Sequence, residues 1–187
     1  MTQIVFAHGW GFDANIWKNF NDKIFENYEV YHLDFGYTTR SNCDLAKIKD
    51  GAVCIGHSIG FLWLLKNVKN PSVLISISGF SCFYCYIESN IIYRMKKNIE
   101  KNTETQMRKF YQMSGIRKKN LPNFNKELLL KGLNWLIKWN EIKTLEKTLC
   151  PVFAIASFDD KIVPIEMSRE IWKDYDPNFV WGSPKSK

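Results

Sequence analysis

No apolar run in the 187 residues approaches the ~18 needed to span a bilayer, which argues against a membrane-crossing helix. The N-terminus does not read as a signal peptide, and neither an internal repeat nor a low-complexity linker interrupts the chain. The five cysteines (Cys43, Cys54, Cys82, Cys85 and Cys150) are an odd number with one close pair, Cys82-Phe83-Tyr84-Cys85. With no second pair and no histidine nearby, that spacing argues against zinc and for reduced thiols in a cytoplasmic protein. Basic residues lack any recognised nucleic-acid motif or glycine-aromatic signature, so a nucleic-acid partner is not expected. Histidine is the most telling shortage: His8, His32 and His57 are the only three, and none lies beyond residue 57.

What is present describes a single domain long enough to bury a core, with 45% hydrophobic and 24% charged residues. Aromatics reach 15%, which predicts a large apolar core or site. The net charge of +7 fits an acidic partner or substrate, and equally a solvated basic surface.

The centre of the chain is Gly56-His57-Ser58-Ile59-Gly60. A β-branched run, Ala52-Val53-Cys54-Ile55, precedes it, and an apolar stretch, Phe61 to Lys66, follows. A glycine-bracketed serine between a strand and a helix is the G-x-S-x-G nucleophile elbow. The turn is so sharp that only small residues fit around the serine, and it lifts the hydroxyl clear of the sheet while aiming the next backbone N–H at the same point. Ser58 is therefore the candidate nucleophile, and the N–H of Ile59 one candidate oxyanion donor.

Strand-like runs alternate with helical stretches. Gln3 to Ala7 leads into His8-Gly9-Trp10-Gly11, where the N–H of Trp10 supplies the second oxyanion donor and His8 a structural hydrogen bond. A helix is expected over Asn15 to Phe25, a strand over Glu29 to Asp34 with His32 in the core or at an edge, and a short helix over Asp44 to Lys49. Ser72 to Ser78 forms the next strand, closing at Gly79. The alternation predicts an α/β fold with a mainly parallel sheet and helices on both faces, its site beyond the carboxyl ends of the strands.

From residue 84 to 149 the strand signal disappears. Helices are expected over Ile91 to Lys101, Thr103 to Met113 and Asn125 to Trp139, rich in Lys and Arg. This segment predicts a helical cap inserted into a core formed by 1–83 and 150–187; such a cap supplies an apolar substrate tunnel and excludes water. Pro151 to Ala156 then returns as a strand, a helix covers Ile165 to Lys173, and Asn178 to Trp181 is a last strand whose loop runs to Lys187. Of the adjacent pair Asp159 and Asp160, the pattern Asp160-Lys161-Ile162-Val163-Pro164 selects Asp160 as the orienting acid.

A serine needs a base, normally a histidine that follows the acid in this chain order. All three histidines precede Asp160, and His57, though adjacent to Ser58, points away on such an elbow. The expectation is a chain cut off before its base and final helix, inactive for that reason and marginally stable because apolar sheet surface is left uncovered.

His8-Gly9-Trp10-Gly11-Phe12-Asp13-Ala14-Asn15-Ile16-Trp17, the elbow, Cys82-Phe83, Arg108-Lys109-Phe110 and Asp160 to Pro164 together resemble the α/β-hydrolases. Within them the sequence is most similar to the pimeloyl-acyl-carrier-protein methyl ester carboxylesterases of biotin synthesis. The resemblance implies an α/β-hydrolase fold with a helical cap, no cofactor and no metal. It implies Ser58 as nucleophile, Asp160 as acid, Trp10 and Ile59 at the oxyanion, and Trp10, Phe83 and Phe110 against the substrate. The acidic acyl carrier protein would meet the basic cap, first at Arg94, Arg108 and Lys109. Two other readings stay open: a broad small-ester or thioester hydrolase of the same fold, and a non-catalytic binding protein that keeps the pocket.

Overall fold

The computed structural model describes residues 1–18, 22–117, 119–174 and 179–182. Six parallel strands form one sheet: β1 (Gln3–Ala7), β2 (Glu29–Leu33), β3 (Val53–His57), β4 (Val73–Ile77), β5 (Val152–Ser157) and β6 (Phe179–Gly182), in the order β2-β1-β3-β4-β5-β6. The order turns back at β1, so the chain leaves β1 towards one edge and β3 towards the other. In an open parallel sheet that reversal opens a crevice beyond the strand ends. Asn178 and 183–187, read as strand and loop, lie outside the described residues.

Helix α1 (Ile59–Asn67) follows β3 directly and is almost wholly buried, from Ile59 to Leu65. Its side chains join Val5, Cys54, Leu74 and Ala154 of the sheet, Met167, Ile171 and Trp172 of α6 (Ile165–Trp172), and the cap in one core. The cap is α2 (Ser89–Lys101), α3 (Thr103–Met113) and α4 (Lys126–Lys138). Asn102 and Asn125 start α3 and α4 by accepting the N–H of Thr105 and of Leu128. The cap returns through α5 (Ile142–Glu146), where Cys82 bridges Asn140 and the Glu141 N–H donates to the Ser81 carbonyl at 2.8 Å.

The other sheet face is covered unevenly. Ile4, Phe6 and Ile55 pack with Trp17, backed by Ile16 and Phe25, whereas Phe153 and Ile155 of β5 are each 38% exposed. A central parallel sheet normally has helices on both faces. Here the described residues of the stretch expected as a helix over 15–25 form two 3₁₀ turns, Ala14–Trp17 and Asp22–Phe25, and 19–21 lie outside the described residues. The reason is packing on Phe6: its ring meets Trp17 at 5.0 Å and Phe25 at 5.5 Å. The stretch 45–47 is likewise a 3₁₀ turn, capped by Asp44.

Candidate active site

The loops that follow β1, β2, β3, β4 and β5 meet at one edge of the sheet. Ser58 stands at the β3–α1 junction with φ 54° and ψ −123°, a left-handed backbone that costs a non-glycine residue about 1–3 kcal/mol. Its N–H donates to the Ile77 carbonyl at 2.9 Å, and its carbonyl accepts from Phe61 N at 3.0 Å, so both sides of the turn are fixed. Gly56 and Gly60 make room for it. A Cβ on Gly60 would lie 2.7 Å from the carbonyl carbon of Ala7 and the carbonyl oxygen of His8. One on Gly56 would lie 2.5 Å from the backbone N of Phe61. Replacing the strained residue, as Ser58→Gly, is expected to raise stability by about 1 kcal/mol, read from the urea midpoint.

The loop after β1 is braced from below and above. The buried His8 accepts the Phe35 N–H through Nε2 at 3.0 Å, while Nδ1 lies 2.8 Å from the Gly9 carbonyl. That pairing assigns the proton to Nδ1 and makes His8 structural. Asp34 sits 3.4 Å from His8 and accepts from Ala14 N, Gly36 N and Thr39 Oγ1. Burial pushes its carboxyl up, but the Thr39 hydroxyl and the Gly36 and Ala14 amides bind the carboxylate and hold it below the usual carboxylate range. Nothing in the sequence singled Asp34 out; an acid closing an apolar strand beside a glycine was the available signal.

The cap clamps the same loop from the other side. Trp10 is buried, donating Nε1–H to the Leu129 carbonyl at 2.9 Å, and its ring meets Phe110 edge-on at 4.7 Å. The Tyr111 hydroxyl donates to the Gly11 carbonyl at 2.7 Å. Phe83 is buried against Phe80, their rings 4.9 Å apart. The structure thus brings Trp10 and Phe110 into contact and places Phe83 at the β4 exit. Arg94 and Lys109 are exposed on α2 and α3, and exposed Arg108 is paired with Glu104 at 2.8 Å.

Asp160 follows β5. Its Oδ1 accepts the N–H groups of Ile162 at 2.8 Å and Val163 at 2.9 Å, so the loop Ile162-Val163-Pro164 holds the carboxylate in place. Asp159 makes an N–H bond to Ser157 Oγ at 3.3 Å. Among the described residues no side chain hydrogen-bonds the Ser58 hydroxyl. His32 is exposed on the edge strand β2, stacked on Phe6 at 5.2 Å.

His57 has its Nδ1 hidden from solvent without a hydrogen-bond partner, close over Gly9. Burial lowers its pKa to about 4; Asp160 opposes this and His8 adds to it. A depressed folded-state pKa means that the unfolded chain takes up the proton first, so stability falls as pH drops from about 6.5 towards 4. His57→Gln is expected to flatten that part of the stability–pH curve, measured by urea unfolding at fixed pH values.

Cys82 and Cys85 are joined as a disulfide, not reduced thiols, because the turn after β4 brings their Cα atoms to 5.6 Å; Cys43, Cys54 and Cys150 are free. No helix among the described residues is long and apolar enough to cross a membrane.

Neither a protein-family model nor a curated protein matches the sequence. Solved structures do match the fold. An esterase from Exiguobacterium antarcticum superposes with a TM-score of 0.77 at 14% identity, covering 98% of this chain and 83% of its own. A bromoperoxidase from Bacillus anthracis gives 0.77 at 15%, covering 97% and 83%. A lipase-esterase related protein from Clostridium acetobutylicum gives 0.70 at 18%, covering 99% and 86%. The six-stranded parallel sheet and these superpositions give the chain the α/β-hydrolase fold.

Proposed function

We propose that this chain is a serine carboxylesterase by descent, built to hydrolyse the methyl ester of a pimeloyl group carried on an acyl carrier protein in biotin synthesis. The observation that carries the esterase reading is the strained Ser58 backbone at φ 54° on a turn between a parallel strand and a buried helix. Strain of this kind persists where the surrounding structure over-determines it, and it clusters at active sites. The solved neighbours described as esterases and hydrolases support the same class of chemistry.

In this reading Ser58 Oγ attacks the ester carbonyl, and the N–H groups of Trp10 and Ile59 receive the developing oxyanion. Ile59 opens α1, where the first amides have no intrahelical acceptor, and the positive helix end adds to the stabilisation. Methanol leaves, and water then releases the acyl group from Ser58. Asp160, held by two backbone N–H groups, is placed to orient a base. In the ancestral reaction that base carries the Ser58 proton to the departing methoxide, and none of the three histidines here fills that role. Trp10, Phe83 and Phe110 line the acyl path, and Arg94, Arg108 and Lys109 face the acidic carrier protein in the cytoplasm.

None of the three histidines contacts the Ser58 hydroxyl, so the 187-residue chain alone is a weak catalyst. That observation favours a second reading, a non-catalytic binding protein. Comparing pimeloyl-carrier-protein methyl ester with short nitrophenyl esters separates the cases. Faster turnover of the carrier-bound ester is expected; preference for the short esters without carrier binding assigns a broad esterase. Carrier binding without cleavage of either assigns the binding protein.

A further inference from the structure

The outer side of α3 carries a feature of which the esterase reading uses only Arg108. A cavity of about 310 Å³ lies between the end of α3 and the loop that follows it, walled by Arg108, Tyr111, Ile116, Arg117, Lys119 and Leu121. That volume is at the lower end of the range for small-molecule pockets. The exposed side chains of Arg108, Arg117 and Lys119 line it beside Ile116 and Leu121. Arg108 is partly neutralised by Glu104 at 2.8 Å, whereas Arg117 and Lys119 have no ion-pair partner among the described residues. The loop is shaped by its own bonds: Ile116 N–H donates to the Tyr111 carbonyl at 2.8 Å, and Gly115 takes φ 75°. Tyr111 anchors the floor through its hydroxyl on Gly11.

We propose that this cavity is a binding site for a phosphate-bearing small molecule. Two guanidinium groups and an ammonium outnumber the single charge of one carboxylate and match a phosphate dianion, whose oxygens accept paired N–H donors from arginine. The aromatic and aliphatic walls suit an organic body attached to that phosphate. The site shares no wall with Ser58 or Asp160, and it stands whether or not the chain cleaves esters.

The test is calorimetric titration of the full chain with inorganic phosphate, pyrophosphate and succinate at fixed ionic strength. Saturable binding is expected, with pyrophosphate tighter than phosphate and succinate at least about tenfold weaker. Arg117→Gln and Lys119→Gln are each expected to weaken pyrophosphate about tenfold with unchanged melting, while Lys143→Gln on α5 leaves the affinity alone. Slower amide exchange over 114–121 in the bound state is the independent readout. Absence of saturable binding, equal affinity for succinate, or equal weakening by Lys143→Gln overturns the proposal.

Discussion

Gly60→Ala is expected to destabilise the protein by at least about 3 kcal/mol, and Gly56→Ala by a similar amount, each a shift of several degrees in Tm. The size follows from what the new methyl meets. At Gly60 it is the backbone of Ala7 and His8, and at Gly56 the backbone of Phe61 and Gly60. Side chains can rotate away from an intruding methyl, but paired strands and a buried helix cannot. Relief would require α1 to move off β1, separating Phe61, Leu62 and Leu65 from the core they share with Val5 and Ala7. A controlled contrast is Gly51→Ala: nothing lies within 4 Å of its Cβ, and only its positive φ of 76° opposes the change. That variant is expected to cost no more than about 1–2 kcal/mol. Equal losses at Gly60 and Gly51 would mean that α1 is not seated against β1 as described.

Exogenous imidazole is expected to accelerate ester cleavage by the chain, and to do so only when Ser58 is present. Asp160 is held and the elbow is strained, but among the described residues no side chain takes the proton from the hydroxyl. In serine hydrolases, loss of the histidine costs on the order of 10⁶ in kcat, while the oxyanion hole and binding retain a residual rate. A diffusible base that enters the site restores part of that loss. Nitrophenyl acetate release, corrected for cleavage by imidazole itself, is expected to rise with imidazole in the wild-type chain and stay flat in Ser58→Ala. Identical slopes in both would remove Ser58 from the chemistry.

Much of this arrangement is legible in the residues because local and global preferences agree. The β-branched run before Gly56 is a strand, the apolar run after it a buried helix, and α3 spans Thr103–Met113 as its periodicity predicts. The elbow geometry follows from the same stretch, since small residues at 56 and 60 have meaning only where backbones approach. Legibility fails where tertiary contacts decide. Residues 15–25 have an amphipathic pattern, yet the packing of both Trp17 and Phe25 on Phe6 overrides it in the described residues. The Asp34 brace ties the loop after β2 to Ala14 in the loop after β1, and the Tyr111 bond to Gly11 spans 100 residues; neither leaves a local pattern. The Cys82–Cys85 bond depends on how the turn after β4 folds back to meet Asn140.

The most direct measurement is peptide mapping after reaction with a fluorophosphonate, in the presence of imidazole. A phosphonyl group traps the serine whose hydroxyl stands in front of paired N–H donors, and a serine elsewhere reacts no faster than in a peptide. A single adduct is expected, on Ser58, lost in Ser58→Ala and retained in Ser78→Ala, the other described serine with a left-handed backbone, at φ 47°. An adduct on Ser78 or any other residue, or a folded chain that stays unlabelled, would contradict it.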